Sequence, residues 1–270
     1  MSVRNRAFRL LYKLHFLLRR NQNWKKQLPI LCFHRVHPDY DPITQPLHPD
    51  QFKQVLEVLI KQWFFYPLME WKTALRDPKG IILTFDDALS DFKEHAWPII
   101  QELKLPVTLF VPTESVNTGR KLYNYQAAEL LLNGMGTFEY QNRVFTSGSS
   151  DLNQYLLFCN LLGKDPNSRE PLLESWNKQL KVKERLSVNP MSWLDLKSLV
   201  SEGVDIQNHT YAHSLMSGIS EELFKSDIER SEQLLFDNLS VKSVFLAYPM
   251  GAYTTRLEKL LTEMGILGLG

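Results

Sequence analysis

The sequence predicts an α/β fold, a (β/α) barrel of about seven strands with one helical insertion. Three observations carry this. Short apolar, β-branched runs alternate with helix-like segments along most of the chain. The unit formed by residues 81–85, 90–104 and 107–111 reads strand–helix–strand, which favours a parallel, right-handed crossover. Nearly every run reads as buried on both faces, which suits a barrel better than a flat sheet.

Residues 1–28 form a basic arm, and residues 29–270 form the barrel. Phe8, Leu11, Tyr12, His15 and Leu18 fall near helical spacing over residues 3–20. Residues 1–29 carry eight Lys and Arg and no Asp or Glu, so the remainder holds a net −7 against a whole-chain charge of +1. A basic amphipathic helix of this kind can lie on an anionic membrane surface. It can equally pack across a barrel end. The near-zero total charge points away from nucleic acid as a partner.

Pro29-Ile30-Leu31-Cys32-Phe33-His34-Arg35-Val36 is the first strand and ends on His34-Arg35. Pro49-Asp50 opens a helix whose apolar face is Phe52, Val55, Leu56, Leu59 and Ile60. Residues 63–68 read as a second strand. Ile81-Ile82-Leu83-Thr84-Phe85 is the central one and runs into Asp86-Asp87. Residues 90–104 read as a helix kinked at Pro98, and residues 107–111 as the next strand. Residues 113–190 break the rhythm with helical pieces near 125–133, 152–162 and 169–180. A segment this long between strands is an inserted subdomain, expected to act as a lid or a substrate wall.

Ser192 then caps a helix, with Asp195 three residues on. Residues 204–208 form a strand that leads into His209. Residues 220–237 form a helix, 243–248 a strand, 254–264 a last helix and 266–269 a last strand. Cys32 and Cys159 lie far apart among apolar residues, which predicts buried free thiols. No stretch reaches the roughly 18 apolar residues of a membrane span. The N-terminus lacks the apolar core and small-residue cleavage site of a signal peptide. A cytoplasmic protein is expected, peripheral to the inner membrane through its arm.

Chemistry concentrates at strand ends. A carboxylate pair closing a buried strand is costly unless something there needs the charge. Successive strand residues point to opposite sides, so Asp86 and Asp87 divide the work, one for a metal and one for a proton. A helix N-cap is the competing reading. His209-Thr210-Tyr211-Ala212-His213 places two imidazoles at i and i+4. On the opening turn of a helix both would face one way, as in two-histidine zinc motifs. Asp86 or Asp87 would complete an open metal site. Tyr248-Pro249-Met250-Gly251 closes a third strand, where an exposed backbone N–H could serve an oxyanion. His34 stands at a strand end on the same face.

These segments together resemble the polysaccharide deacetylase family, carbohydrate esterase family 4, with its NodB homology domain. Thr84-Phe85-Asp86-Asp87 resembles the family's first motif and His209-Thr210-Tyr211-Ala212-His213 its second. Residues 245–251 resemble a variant of the third. Residues 31–36, and 191–193 running on to Asn208, are similar to the corresponding stretches of bacterial members. The resemblance implies a distorted (β/α) barrel and a divalent metal, usually zinc. It implies Asp87, His209 and His213 as ligands and Asp86 as general base. It implies that water attacks the acetamide of an N-acetylated glycan or glycolipid, with Tyr248, Pro249 and Gly251 at the oxyanion.

The sequence departs from the family in three places. Ala88 replaces a glycine, which tightens the loop. The third motif lacks an arginine that orients the base. No histidine follows His213 before Gly270, where the family's late motif supplies a general acid. Either His34 protonates the leaving amine, or the barrel is an impaired, glycan-binding or scaffold relative. A hydrolase of a small non-sugar amide is the remaining alternative.

Overall fold

The computed structural model describes residues 27–164, 167–182 and 185–270. The expected basic helix over residues 3–20 lies outside them. The chain divides into two compact units, one made of residues up to Tyr40, Pro46–Phe85 and Asp91–Thr108, the other of Asp41–Gln45, Asp86–Ser90 and Leu109–Gly270.

In the first unit, β1 (Ile30–Phe33) is followed by α1 (Pro49–Leu59), β2 (Phe64–Phe65), α2 (Trp71–Arg76), β3 (Gly80–Phe85) and α3 (Trp97–Glu102). β1 and β3 pair in parallel from Ile30 opposite Ile82 to Phe33 opposite Phe85, and β2 pairs in parallel with the start of β3. All six β3 residues are buried, as the unbroken apolar run requires. β2 is only two residues long, shorter than the strand expected over 63–68. Its chain turns at Pro67 into a short 3-10 turn, Leu68–Glu70. Phe85 meets the rings of Phe33, Phe52 and Phe92 at 5.5, 5.6 and 4.9 Å between centroids, which ties β1, β3 and α1 to the chain before α3. Gly80 has no room for a side chain, because a Cβ would stand 2.2 Å from the Ala74 carbonyl oxygen.

The kink expected at Pro98 takes a specific form. A π-turn spans Phe92–Ala96, and Trp97 N–H reaches back to Phe92 O. Pro98 then falls in the first turn of α3, where its missing N–H removes no bond. Arg35 Nε donates to Asp91 Oδ2 at 2.9 Å, and both side chains are buried. Burial pushes the Asp91 carboxyl up to about 6, against the pull of Arg35. Cys32 is exposed, not buried as expected, because the residues of β1 alternate between exposed and half-buried.

The second unit takes in β4 (Thr108–Val111) from Leu109 onward, α4 (Thr113–Thr118), α5 (Tyr123–Asn133), the hairpin β5 (Gly136–Tyr140) and β6 (Arg143–Ser147), α6 (Leu152–Gly163) and α7 (Arg169–Gln179). It continues with α8 (Trp193–Ser201), β7 (Asp205–Asn208), α9 (Glu221–Leu239), β8 (Phe245–Ala247), α10 (Thr255–Glu263) and β9 (Leu267–Leu269). Its main strands run in the order β4-β7-β8-β9, with β7–β8 and β8–β9 parallel. Helices alternate with parallel strands, so the class is α/β, of the barrel type expected. No helix among the described residues is long and apolar enough to cross a membrane.

The three helical pieces expected over 113–190 are α5, α6 and α7. The hairpin between α5 and α6 was not expected. Phe138 and Phe145 stack from its two strands at 5.4 Å and pack on Phe158 of α6 and Trp176 of α7. This segment therefore has an apolar core of its own.

Ser192 caps α8 as expected. Its Oγ accepts from Asp195 N–H at 3.2 Å, and Asp195 Oδ2 accepts from Ser192 N–H at 3.0 Å. The two satisfy each other's end groups as a capping box. Ser192→Ala is expected to cost about 1 kcal/mol. Urea unfolding checks this, and an unchanged midpoint would contradict it.

Candidate metal centre

Asp86 and Asp87 are not the last residues of a strand. β3 ends at Phe85, and Asp87 and Ala88 turn with φ of +73° and +48°. Strand alternation, from which a division of labour was expected, therefore does not apply to this pair, because a left-handed turn carries Asp87 away from the strand. Ala88 takes this conformation without the freedom of glycine, at a cost of about 1–2 kcal/mol.

The segment carrying the two histidines is likewise not a helix. Residues 209–213 are a loop in which Thr210 and His213 have φ of +69° and +52°. Side chains from several elements hold it. Asn208 Oδ1 accepts from Thr210 N–H at 2.7 Å and from Ser231 Oγ at 2.9 Å. Asp227 of α9 accepts Tyr211 N–H at 2.6 Å and Ala212 N–H at 3.1 Å. Thr210 Oγ1 accepts His213 N–H at 3.0 Å. Thr210 O and Tyr211 O accept the N–H groups of Thr113 and Glu114, at the start of α4. Arg169 of α7 donates to Ala212 O, and its Nη1 lies 3.4 Å from Ser214 Oγ.

This loop brings both imidazoles to Asp87. His213 Nε2 lies 3.1 Å and His209 Nε2 3.5 Å from Asp87 Oδ1, and all three side chains are at most 4% exposed. Asp87 Oδ2 accepts the Tyr125 hydroxyl at 2.6 Å. His209 Nδ1 lies 2.8 Å from Ala247 O. A carbonyl only accepts, so Nδ1 carries the proton and Nε2 turns a lone pair toward Asp87. Burial lowers the His209 pKa, but Asp87 and Asp86 outweigh it and the net direction is upward. Burial wins at His213, which is held down.

A carboxylate and two imidazole nitrogens within 4.8 Å of one another form a buried set of hard and borderline donors. Such a set fits a divalent cation that keeps an open coordination position. The carbonyl behind His209 is the outer partner that metal-bound histidines commonly have. Asp86 is half-buried beside this group, and its charge is felt at His209.

The third expected segment adjoins the trio through Ala247. Its backbone is largely committed. Tyr248 N–H donates to Leu269 O at 2.9 Å and Gly251 N–H to Tyr248 O at 2.9 Å, while Pro249 has no N–H. An oxyanion would have to compete with Leu269 O for the Tyr248 donor. The Tyr248 ring stacks on Tyr253 at 4.9 Å and lies over Gly268, where a Cβ would come within 2.4 Å. His34 belongs to the first unit, exposed just after β1. Tyr125, Tyr123, Arg169 and Asp227 were not among the expected site residues.

A family model for polysaccharide deacetylases matches residues 74–268. The chain belongs to the polysaccharide deacetylase family. It is a hydrolase of the class that acts on the N-acetyl amide bond, and deacetylases of this family are metal-dependent. Among solved structures, the deacetylase is similar to IcaB from Ammonifex degensii, at 20% identity and a TM-score of 0.58 over 88% of this chain and 81% of that one. It is also similar to the Streptococcus pyogenes deacetylase PplD in complex with acetate, at 18% identity and a TM-score of 0.57 over 88% and 80%. A polysaccharide deacetylase from Bacillus cereus matches at 14% identity and a TM-score of 0.56, over 89% of this chain and 56% of that one. These likenesses show the deacetylase barrel fold. No curated protein matches the deacetylase.

Proposed function

We propose that this deacetylase uses a divalent metal, zinc by preference, to remove the N-acetyl group from a sugar of a bacterial polysaccharide or glycolipid. The observation that carries this is the buried convergence of Asp87, His209 and His213. These three residues would hold the cation. When bound, it supplies Lewis-acid polarisation of the acetamide carbonyl and acidifies the attacking water.

Asp86 takes the proton from that water. It suits the task because it is half-buried and directly precedes a proposed ligand, Asp87. Tyr248, Pro249 and Gly251 are the segment proposed beside the developing negative charge, where the Tyr248 N–H would exchange Leu269 O for the oxyanion. His34 is the group proposed to protonate the departing amine, after which acetate and the free amine separate. The basic arm would bring the enzyme to an anionic membrane on the cytoplasmic side, since each Lys or Arg near such a surface contributes about 1 kcal/mol.

The non-catalytic alternative is less well supported, because the donor set is complete and buried. The test is acetate release from N-acetylglucosamine oligomers by the zinc-loaded protein. Asp86→Asn is expected to bind zinc with unchanged affinity and to lose about 10²- to 10⁴-fold in kcat. Undiminished turnover by that variant would remove Asp86 from the reaction. Absence of acetate from the zinc-loaded wild type would remove the substrate assignment.

A further inference from the structure

The segment between β4 and α8 reaches the buried trio through Tyr125. We infer that Tyr125 is a positioning residue for the cation site, fixing the Asp87 carboxylate so that Oδ1 faces the two imidazoles. This rests on the metal-site reading above and extends it to a residue outside the three motifs.

Asp87 sits in a left-handed turn with φ of +73°, so no strand ladder sets the direction of its side chain. Its Oδ2 accepts the Tyr125 hydroxyl at 2.6 Å, the short length of a hydrogen bond to a charged acceptor. The Tyr125 ring is itself immobile. It stands on the first turn of α5 and is buried with Leu89, Leu122 and Val188. A rigid phenol on Oδ2 leaves Oδ1 as the oxygen nearest His209 and His213. An aspartate with one oxygen engaged in this way approaches a cation through the other, and its carboxyl group cannot swing away from the imidazoles.

The same segment supports the histidine side. Tyr123, two residues earlier on α5, places its ring 5.8 Å from that of His213. Arg169 of α7 lies 4.3 Å over the Tyr123 ring and donates to Ala212 O, next to His213. Arg169 and Tyr123 thus form a buried layer behind one ligand, while Tyr125 holds another. Gly163 at the end of α6 leaves room for this layer, because a Cβ there would meet the Tyr123 hydroxyl at 2.6 Å.

Tyr125→Phe removes the hydroxyl and keeps the ring in its packing, so it separates positioning from folding. Zinc alone is the probe, measured on metal-stripped protein by competition with a chromogenic chelator. The variant is expected to bind zinc about 10- to 100-fold more weakly than the wild type. Its stripped form should melt within about 4 °C of the stripped wild type. A purely structural role would lower the melting temperature and leave zinc affinity in place. Equal zinc affinity in the two proteins overturns the inference while sparing the metal site. A wild type that binds no zinc overturns the metal-site reading, and this inference with it.

Discussion

Asp87→Asn is expected to weaken metal binding and deacetylation together while leaving the fold intact. The carboxylate is buried, with Oδ1 facing two imidazole nitrogens at 3.1 and 3.5 Å and Oδ2 on the Tyr125 hydroxyl. An asparagine fits the same space. Its carbonyl can accept from Tyr125, and its NH2 can donate toward the lone pairs of His209 and His213. The amide thereby takes the place a cation would occupy, so the buried groups stay satisfied and stability changes little. The site loses an anionic ligand. Four-ligand structural zinc sites are worth about 10–16 kcal/mol, or roughly 2.5–4 kcal/mol per ligand, and one lost ligand is about 10²- to 10³-fold in affinity. Zinc titration of stripped protein and an acetate assay check this. A variant that holds zinc as tightly as the wild type would show that Asp87 is not a ligand.

Asp227→Ala is expected to cost about 2–6 kcal/mol, because it strands two backbone donors at about 1–3 kcal/mol each. Tyr211 and Ala212 N–H both end on this carboxylate, and they belong to the loop between the two histidines. Burial pushes the Asp227 carboxyl up to about 6, with the two N–H donors pulling the other way. Losing that burial cost offsets part of the damage, so the lower half of the range is expected near neutral pH. The loop should loosen and zinc affinity fall with it, although Asp227 is not itself one of the donors. Asp227→Asn, which keeps one acceptor, should fall between. Urea unfolding together with zinc titration measures both effects. A stability loss below about 0.5 kcal/mol would mean that other contacts hold the loop.

Much of this was legible in the sequence because its cause is local. The uninterrupted apolar run before Asp86 dictates a doubly buried strand, and β3 is one. Ser192 and Asp195 announce a helix start through their own hydrogen bonds. Residue types pointed to the two histidines with Asp86 or Asp87, the family resemblance singled out Asp87, and the structure brings Asp87, His209 and His213 together.

The errors arise where distant groups set the local backbone. The spacing of His209 and His213 suggests a helix. The loop instead takes two left-handed residues, stabilised by Asn208, by Asp227 of α9 and by Arg169 of α7. The hairpin turns on Gln141-Asn142, both with positive φ (+49° and +58°), without the glycine that marks such turns. Its inward Phe138 and Phe145 were a usable period-two signal. Tyr125 had no local signal, since it stands 38 residues from the carboxylate it holds.

The most direct measurement is an anomalous difference map from crystals of the wild-type protein soaked in zinc. The account predicts one strong peak at about 2.0–2.2 Å from an Asp87 carboxylate oxygen and from Nε2 of both His209 and His213. A peak elsewhere, or none among these three side chains at full zinc loading, would contradict it.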